Sequence, residues 1–180
     1  MPKAYIIVGI YIINSDHGGF MQTVTIISVG KLKDAFFEMA SEEYLKRLKA
    51  YAKVNIIEIK AGVLPENPKE SEINAVLEKE GEEILKKLPA SSRVISLCIE
   101  GKLYSSEDMA RLISDTALSG CSNIVFIIGG SYGLCERVKA RSHIRLSMSK
   151  MTFPHRLARI MLLEQIYRGY KINSGEAYHK

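Results

Sequence analysis

The chain has 180 residues, a net charge of +5 and 47% hydrophobic residues. That suits one domain able to bury a real core, and no apolar run reaches the length needed to span a bilayer. The three cysteines (Cys98, Cys121, Cys135) and four histidines (His17, His143, His155, His179) have no metal-ligand spacing. A disulfide framework and a structural metal are therefore excluded as expectations, and a cytoplasmic protein with reduced thiols is favoured.

The positive charge is unevenly placed. Residues 131–180 hold 10 Lys/Arg against 3 Asp/Glu, whereas residues 1–130 hold 15 against 17. Such an excess suits either a solvated basic face or a polyanionic partner such as RNA.

In chain order, the first segment is MPKAYIIVGIYIINSDHGGF (residues 1–20). It reads as a leader or appended extension: a lysine and an apolar stretch lead to a linker-like Asn14–Gly19 break, with no Ala-x-Ala-like cleavage site. An extra edge strand is the alternative. Met21 then opens a single domain over 21–180. Residues 23–29 are β-branched and apolar, a strand. Over 33–51, Phe36, Met39, Ala40, Tyr44, Leu45 and Leu48 form a helical stripe opposite charges. Residues 54–59 are a second strand and 70–88 an amphipathic helix, after the Pro65–Pro68 break. Residues 93–99 are a third strand. Ser105 or Ser106 then caps a helix that ends at Gly120.

Residues 123–128 (NIVFII) are as apolar as a strand covered on both faces should be. A short basic helix near 135–141, a fifth strand over 144–148 and a helix from Pro154 to about Lys171 complete the chain. This alternation predicts an α/β fold, a parallel sheet with helices on both faces, with ligands at the carboxyl ends of its strands.

The stretch NIVFIIGGSYGLC (123–135) runs from a buried strand into a glycine turn. Gly129, Gly130 and Gly133 have the wrong spacing for a dinucleotide fingerprint, and Leu134-Cys135 stands where a phosphate-binding loop needs Lys-Ser/Thr. On their own, Gly129-Gly130 are equally a strand-ending turn, Leu97 is plain core, and Met148 and Met151 are core fillers.

Four motifs together carry more: Val-Gly-Lys-Leu-Lys (29–33), Ile-Gly-Gly-Ser-x-Gly (128–133), Ser-Lys-Met-Thr-Phe-Pro-His (149–155) and Glu-Ala-Tyr-His-Lys (176–180). In this order and spacing the chain resembles, over 21–180, the ribosomal RNA large subunit methyltransferase H family of the SPOUT superfamily. The resemblance implies a C-terminal deep trefoil knot, an exception to the rule against threading. It also implies S-adenosylmethionine as cofactor, a homodimer, and methylation of N3 of a pseudouridine in 23S rRNA, in the large subunit or whole ribosome. Leu97, Gly129 and the loop Met148, Ser149, Lys150, Met151, Thr152 and Phe153 are the cofactor contacts it implies. Tyr178 and His179 are its active-site residues, carried on a tail that the dimer brings beside the partner's cofactor.

His155 and Arg159 lie one turn apart on the last helix and point the same way, which suits organising the cofactor loop or gripping RNA phosphate. Glu164 and Arg168 repeat that spacing and read as a surface ion pair. The mechanism expected is direct methyl transfer, with His179 a candidate base for the N3 proton and Tyr178 stacking on the base or bonding its edge. A non-catalytic RNA-binding factor is the alternative. A nicotinamide enzyme is disfavoured by the missing fingerprint.

Overall fold

A computed structural model describes residues 21–178. Five strands alternate with five helices: β1 (Gln22–Val29), α1 (Ala35–Leu48), β2 (Ala52–Ile59), α2 (Glu70–Lys86), β3 (Arg93–Leu103), α3 (Ser106–Leu118), β4 (Asn123–Ile128), α4 (Glu136–Arg141), β5 (Ile144–Ser147) and α5 (His155–Asn173). The strands form one parallel sheet in the order β2-β1-β4-β3-β5. β4 thus slots between two strands laid down earlier in the chain, and the short β5 is an edge. The expectations for residues 1–20 and for His179 and Lys180 lie outside the described residues.

Alternation along the strands decides which helix goes where, because successive side chains point to opposite faces. Val24, Ile26, Ile95, Ile124, Phe126 and Leu146 face one way and pack with Leu48 of α1, Met109 and Ile113 of α3, and Leu162 and Ile166 of α5. Ile27, Val29, Val94, Val125 and Ile127 face the other way, against Ile84 of α2 and Val138 of α4. Each fully buried branched side chain contributes about 1.5–3 kcal/mol. β1 and β4 are lined on both faces, so the central strands read as continuous apolar runs.

The capping expectation for α3 holds at Ser105, whose hydroxyl accepts from the Asp108 backbone N–H while the Asp108 carboxylate accepts from the Ser105 N–H. Two expectations are corrected. Only the C-terminal half of the α1 stripe meets the core; Phe36 and Met39 are 60% and 64% exposed. Helical periodicity marks an apolar face and cannot say how far along it the sheet extends. The Glu164–Arg168 pair is also more sheltered than a surface pair, at 17% and 25% side-chain exposure, because the end of the chain folds over it.

Candidate active site

Three strand ends build one cleft. β3 runs past its expected end at Ile99 to Leu103, and Leu97 and Lys102 both stand opposite Leu146 of β5, so residues 98–101 bulge outward as a lip. Gly101 closes that bulge: a Cβ there would lie 2.7 Å from the Arg145 backbone. At the end of β4 the chain doubles back, the Gly133 N–H donating to the Gly130 carbonyl at 3.1 Å, with Gly133 at φ +83°. A Cβ on Gly129 would lie 2.2 Å from the Gly133 carbonyl oxygen. Gly129 is therefore demanded by the turn itself. β5 leads into the third wall, pinned by the Ser147 hydroxyl donating to the Ser149 carbonyl (2.9 Å) and the Met151 N–H donating to the Ser149 hydroxyl (3.0 Å).

The cleft encloses about 800 Å³, within the range of small-molecule sites. Leu97, Gly129, Met148, Ser149, Met151, Thr152, Phe153 and His155 all line it, so residues up to 58 positions apart in sequence are brought together. Lys150 of the same loop is exposed and absent from the lining. Sequence reasoning missed the charged pair at the lip, where Lys139 Nζ of α4 lies 2.7 Å from Glu100. That hydrogen bond holds the Lys139 ammonium above its ordinary pKa and the Glu100 carboxyl below its own. Nothing in sequence spacing could pair a strand bulge with a helix forty residues on.

His155 and Arg159 stand at the first turn of α5. Burial, then the charges of Arg156 and Arg159, lower the His155 pKa, so the imidazole is neutral at physiological pH. The Arg159 side chain is 3% exposed and turned inward, its two terminal nitrogens bonded and its Nε buried without a partner among the described residues. It meets Glu58 of β2 at 2.7 Å, the Gly30 carbonyl at 3.0 Å and the Ser28 hydroxyl of β1. This ties the carboxyl ends of two strands to the helix that carries His155. Its bonds go to the ends of β1 and β2, and no face of it is free to grip a phosphate. Behind the glycine turn, Glu80 of α2 accepts from the Gly62 N–H at 2.8 Å, and burial raises its pKa.

Tyr178 lies elsewhere. α5 has 19 residues, roughly 28 Å at 1.5 Å each, and Tyr178 packs beside its far end. Its ring meets Tyr167 edge-on at 5.0 Å, with the Arg168 guanidinium 4.8 Å above it. Tyr51 donates to Glu176 at 2.7 Å, and Lys171 also bonds Glu176. The tail up to Tyr178 is docked, not frayed, and it does not reach its own chain's cleft.

A family model described as "Predicted SPOUT methyltransferase" matches residues 21–179. The chain belongs to the SPOUT methyltransferases. It is 49% identical over 156 residues to the ribosomal RNA large subunit methyltransferase H of Pelotomaculum thermopropionicum, covering 87% of this chain and 98% of that one. The putative ribosomal RNA large subunit methyltransferase H of Methanococcus vannielii is 52% identical over 157 residues, 87% of this chain and 99% of its own. For the Clostridium novyi protein of the same name the identity is 50% over the same shares.

For a SPOUT methyltransferase the cleft is apt. Its lining combines apolar side chains and backbone with the Glu100–Lys139 pair at the lip, and Gly129 and Gly130 add no side chain to it. Those features suit a bound methyl donor better than a phosphate cradle would. Among the described residues, no group of three His, Cys, Asp or Glu could hold a metal ion. No described helix is long and apolar enough to cross a membrane.

Proposed function

We propose that this SPOUT methyltransferase methylates N3 of a pseudouridine in 23S rRNA, using S-adenosylmethionine, in the cytoplasm on large subunits or whole ribosomes. The observation that carries this reading is the apolar cleft at the ends of β3, β4 and β5, in a chain about half identical to proteins named for ribosomal RNA methylation. The cofactor supplies an electrophilic methyl group on sulfur. Leu97, Met148 and Phe153 give apolar walls for it, and Gly129 with Ser149, Met151 and Thr152 completes the lining. Lys150 belongs to that set by resemblance alone, being exposed and outside the lining.

Arg159 holds the helix start in place, and His155, neutral and half-buried beside the loop, orients it. His179 takes the N3 proton and Tyr178 contacts the target base. Since Tyr178 stands a full helix length from its own cleft, the tail serves the cleft of a second copy, which makes the active unit a homodimer. The exposed Phe36 and Met39, with Leu157 at 37% exposure, support such a partner face along α1 and α5. The threading from β4 onward forms the trefoil knot, as the resemblance implies.

The test is methyl transfer from labelled S-adenosylmethionine to assembled ribosomes, followed by mapping of the modified base. Label at N3 of one 23S pseudouridine is expected. Label on another base or on protein, or none at all, would overturn the reading.

A further inference from the structure

A second groove lies beside the cleft, on the α3 side of the sheet. It encloses about 360 Å³ between α3 and the β3–β5 pair, with Arg93, Lys102 and Tyr104 from β3 and its end. Among the described residues no carboxylate forms an ion pair with Arg93 or Lys102, and both are exposed. Arg111, also in the groove, is bound to Asp108, whose carboxylate caps α3 as well. Asp115 is the remaining acid, on the α3 wall. The Lys102 ammonium sits 5.8 Å from the Tyr104 ring, which is half-buried and fixed against the core.

The groove and the cleft share one wall. Glu100 lines the cleft, and Lys102 stands two residues further along the same bulged strand. The Tyr104 N–H donates at 3.3 Å to the carbonyl of Ser147, itself a cleft residue. Across the free edge of β5, Arg141 and Arg145 are exposed on the α4 side and likewise form no ion pair among the described residues. A polyanion leaving the cleft over this edge meets unpaired cations on both sides of it.

We propose that the Arg93–Lys102–Tyr104 groove holds the RNA strand flanking the nucleotide presented to the cleft. Arg93 and Lys102 neutralise backbone phosphates, and Tyr104 gives a flank for a neighbouring base or ribose. A fixed aromatic beside unpaired cations is the combination single-stranded RNA uses, with stacking and phosphate contact alternating along the strand. This inference rests on the reading that RNA is the substrate, but it assigns the surface that takes the strand.

The experiment compares Arg93→Gln/Lys102→Gln, Tyr104→Leu and a control, Lys53→Gln/Lys60→Gln, at the opposite sheet edge. Methyl transfer to ribosomes and direct binding of naked 23S rRNA are measured over a salt series, with S-adenosylmethionine affinity by calorimetry. The groove double variant should raise the apparent KM on the order of tenfold and flatten the logarithmic salt slope by about 1.4, as two lost single-strand phosphate contacts would. Tyr104→Leu should weaken RNA binding with the salt slope kept. Cofactor affinity should stay unchanged in all.

Equal losses in the control, or an unaltered salt slope, would overturn the proposal. So would a loss on ribosomes with normal binding of naked RNA, which would point to a ribosomal protein. Aggregation with normal RNA binding would show that the charges only guard the sheet beside its β5 edge, and would also overturn it. If the unaltered protein binds RNA at this groove yet transfers no methyl, the functional reading fails while this one stands.

Discussion

Arg159 is the side chain on which the site's architecture most depends. Buried and bonded to Glu58, Ser28 and Gly30, it is the kind of charge whose removal leaves its partners poorly paired. Arg159→Met should cost about 3 kcal/mol, the lower end for a buried pair because Glu58 keeps 29% of its side-chain exposure. Denaturant unfolding checks it. At Gly129 the constraint is steric: even Gly129→Ala puts a methyl 2.2 Å from a backbone oxygen of the same turn. The turn must open, so melting temperature and S-adenosylmethionine affinity should fall together. A Gly129→Val variant with native stability and unchanged affinity would contradict the close approach.

His155 gives a pH signature. Its pKa is lowered on folding, so the unfolded chain takes up a proton first as pH falls past the ordinary value of 6.5. Below that point the unfolded state binds more protons, and stability declines until the folded imidazole also protonates. His155→Gln should flatten the fall in denaturant midpoint between about pH 7 and 5.

At the scale of elements, the end of the chain behaves as an extension of α5. Tyr178 stands against Tyr167 and beneath Arg168, and Glu176 bridges Tyr51 and Lys171. Tyr178→Ala should cost about 1–2 kcal/mol from the lost ring pair and cation–π contact. Deleting 177–180 should abolish methyl transfer while cofactor affinity stays nearly intact, because the cleft's lining is built without the tail. Single-turnover kinetics and calorimetry separate the two quantities. His179→Ala should lower kcat by about 10²–10⁴ as the loss of a general base. A fall in apparent affinity with kcat kept would assign it to RNA contact instead.

For the whole molecule, the exposed Phe36 and Met39 and the distance between tail and cleft lead to one expectation, a homodimer with composite sites. Sedimentation at micromolar concentration should show a dimer. Mixing tail-deleted subunits with subunits blocked at the cofactor loop should recover activity in the mixed species. Verified mixed dimers without activity would mean that each tail serves its own site. A chain beginning at Met21 should fold, bind cofactor and methylate as the full chain does; failure to fold would make residues 1–20 part of the sheet.

The sequence alone determined the order and type of every described element, because β-branched runs such as 123–128 and helical stripes such as 106–116 carry their own periodicity. It also determined the family, through four short motifs. The partners of each charge were decided only by tertiary structure. The spacing of His155 and Arg159 says that they share a helix face, but only the packing of α5 on β1 and β2 turns Arg159 inward to Ser28 and Glu58. The lip at 98–101 and the Glu100–Lys139 pair arise from a register shift against β5, a relation between strands that no local pattern records. Gly129 is legible as a glycine in a turn; that its missing Cβ makes room for the carbonyl of Gly133 is a fact of three dimensions. Periodicity reports which face of an element is apolar, whereas the chemistry of a site depends on which elements meet.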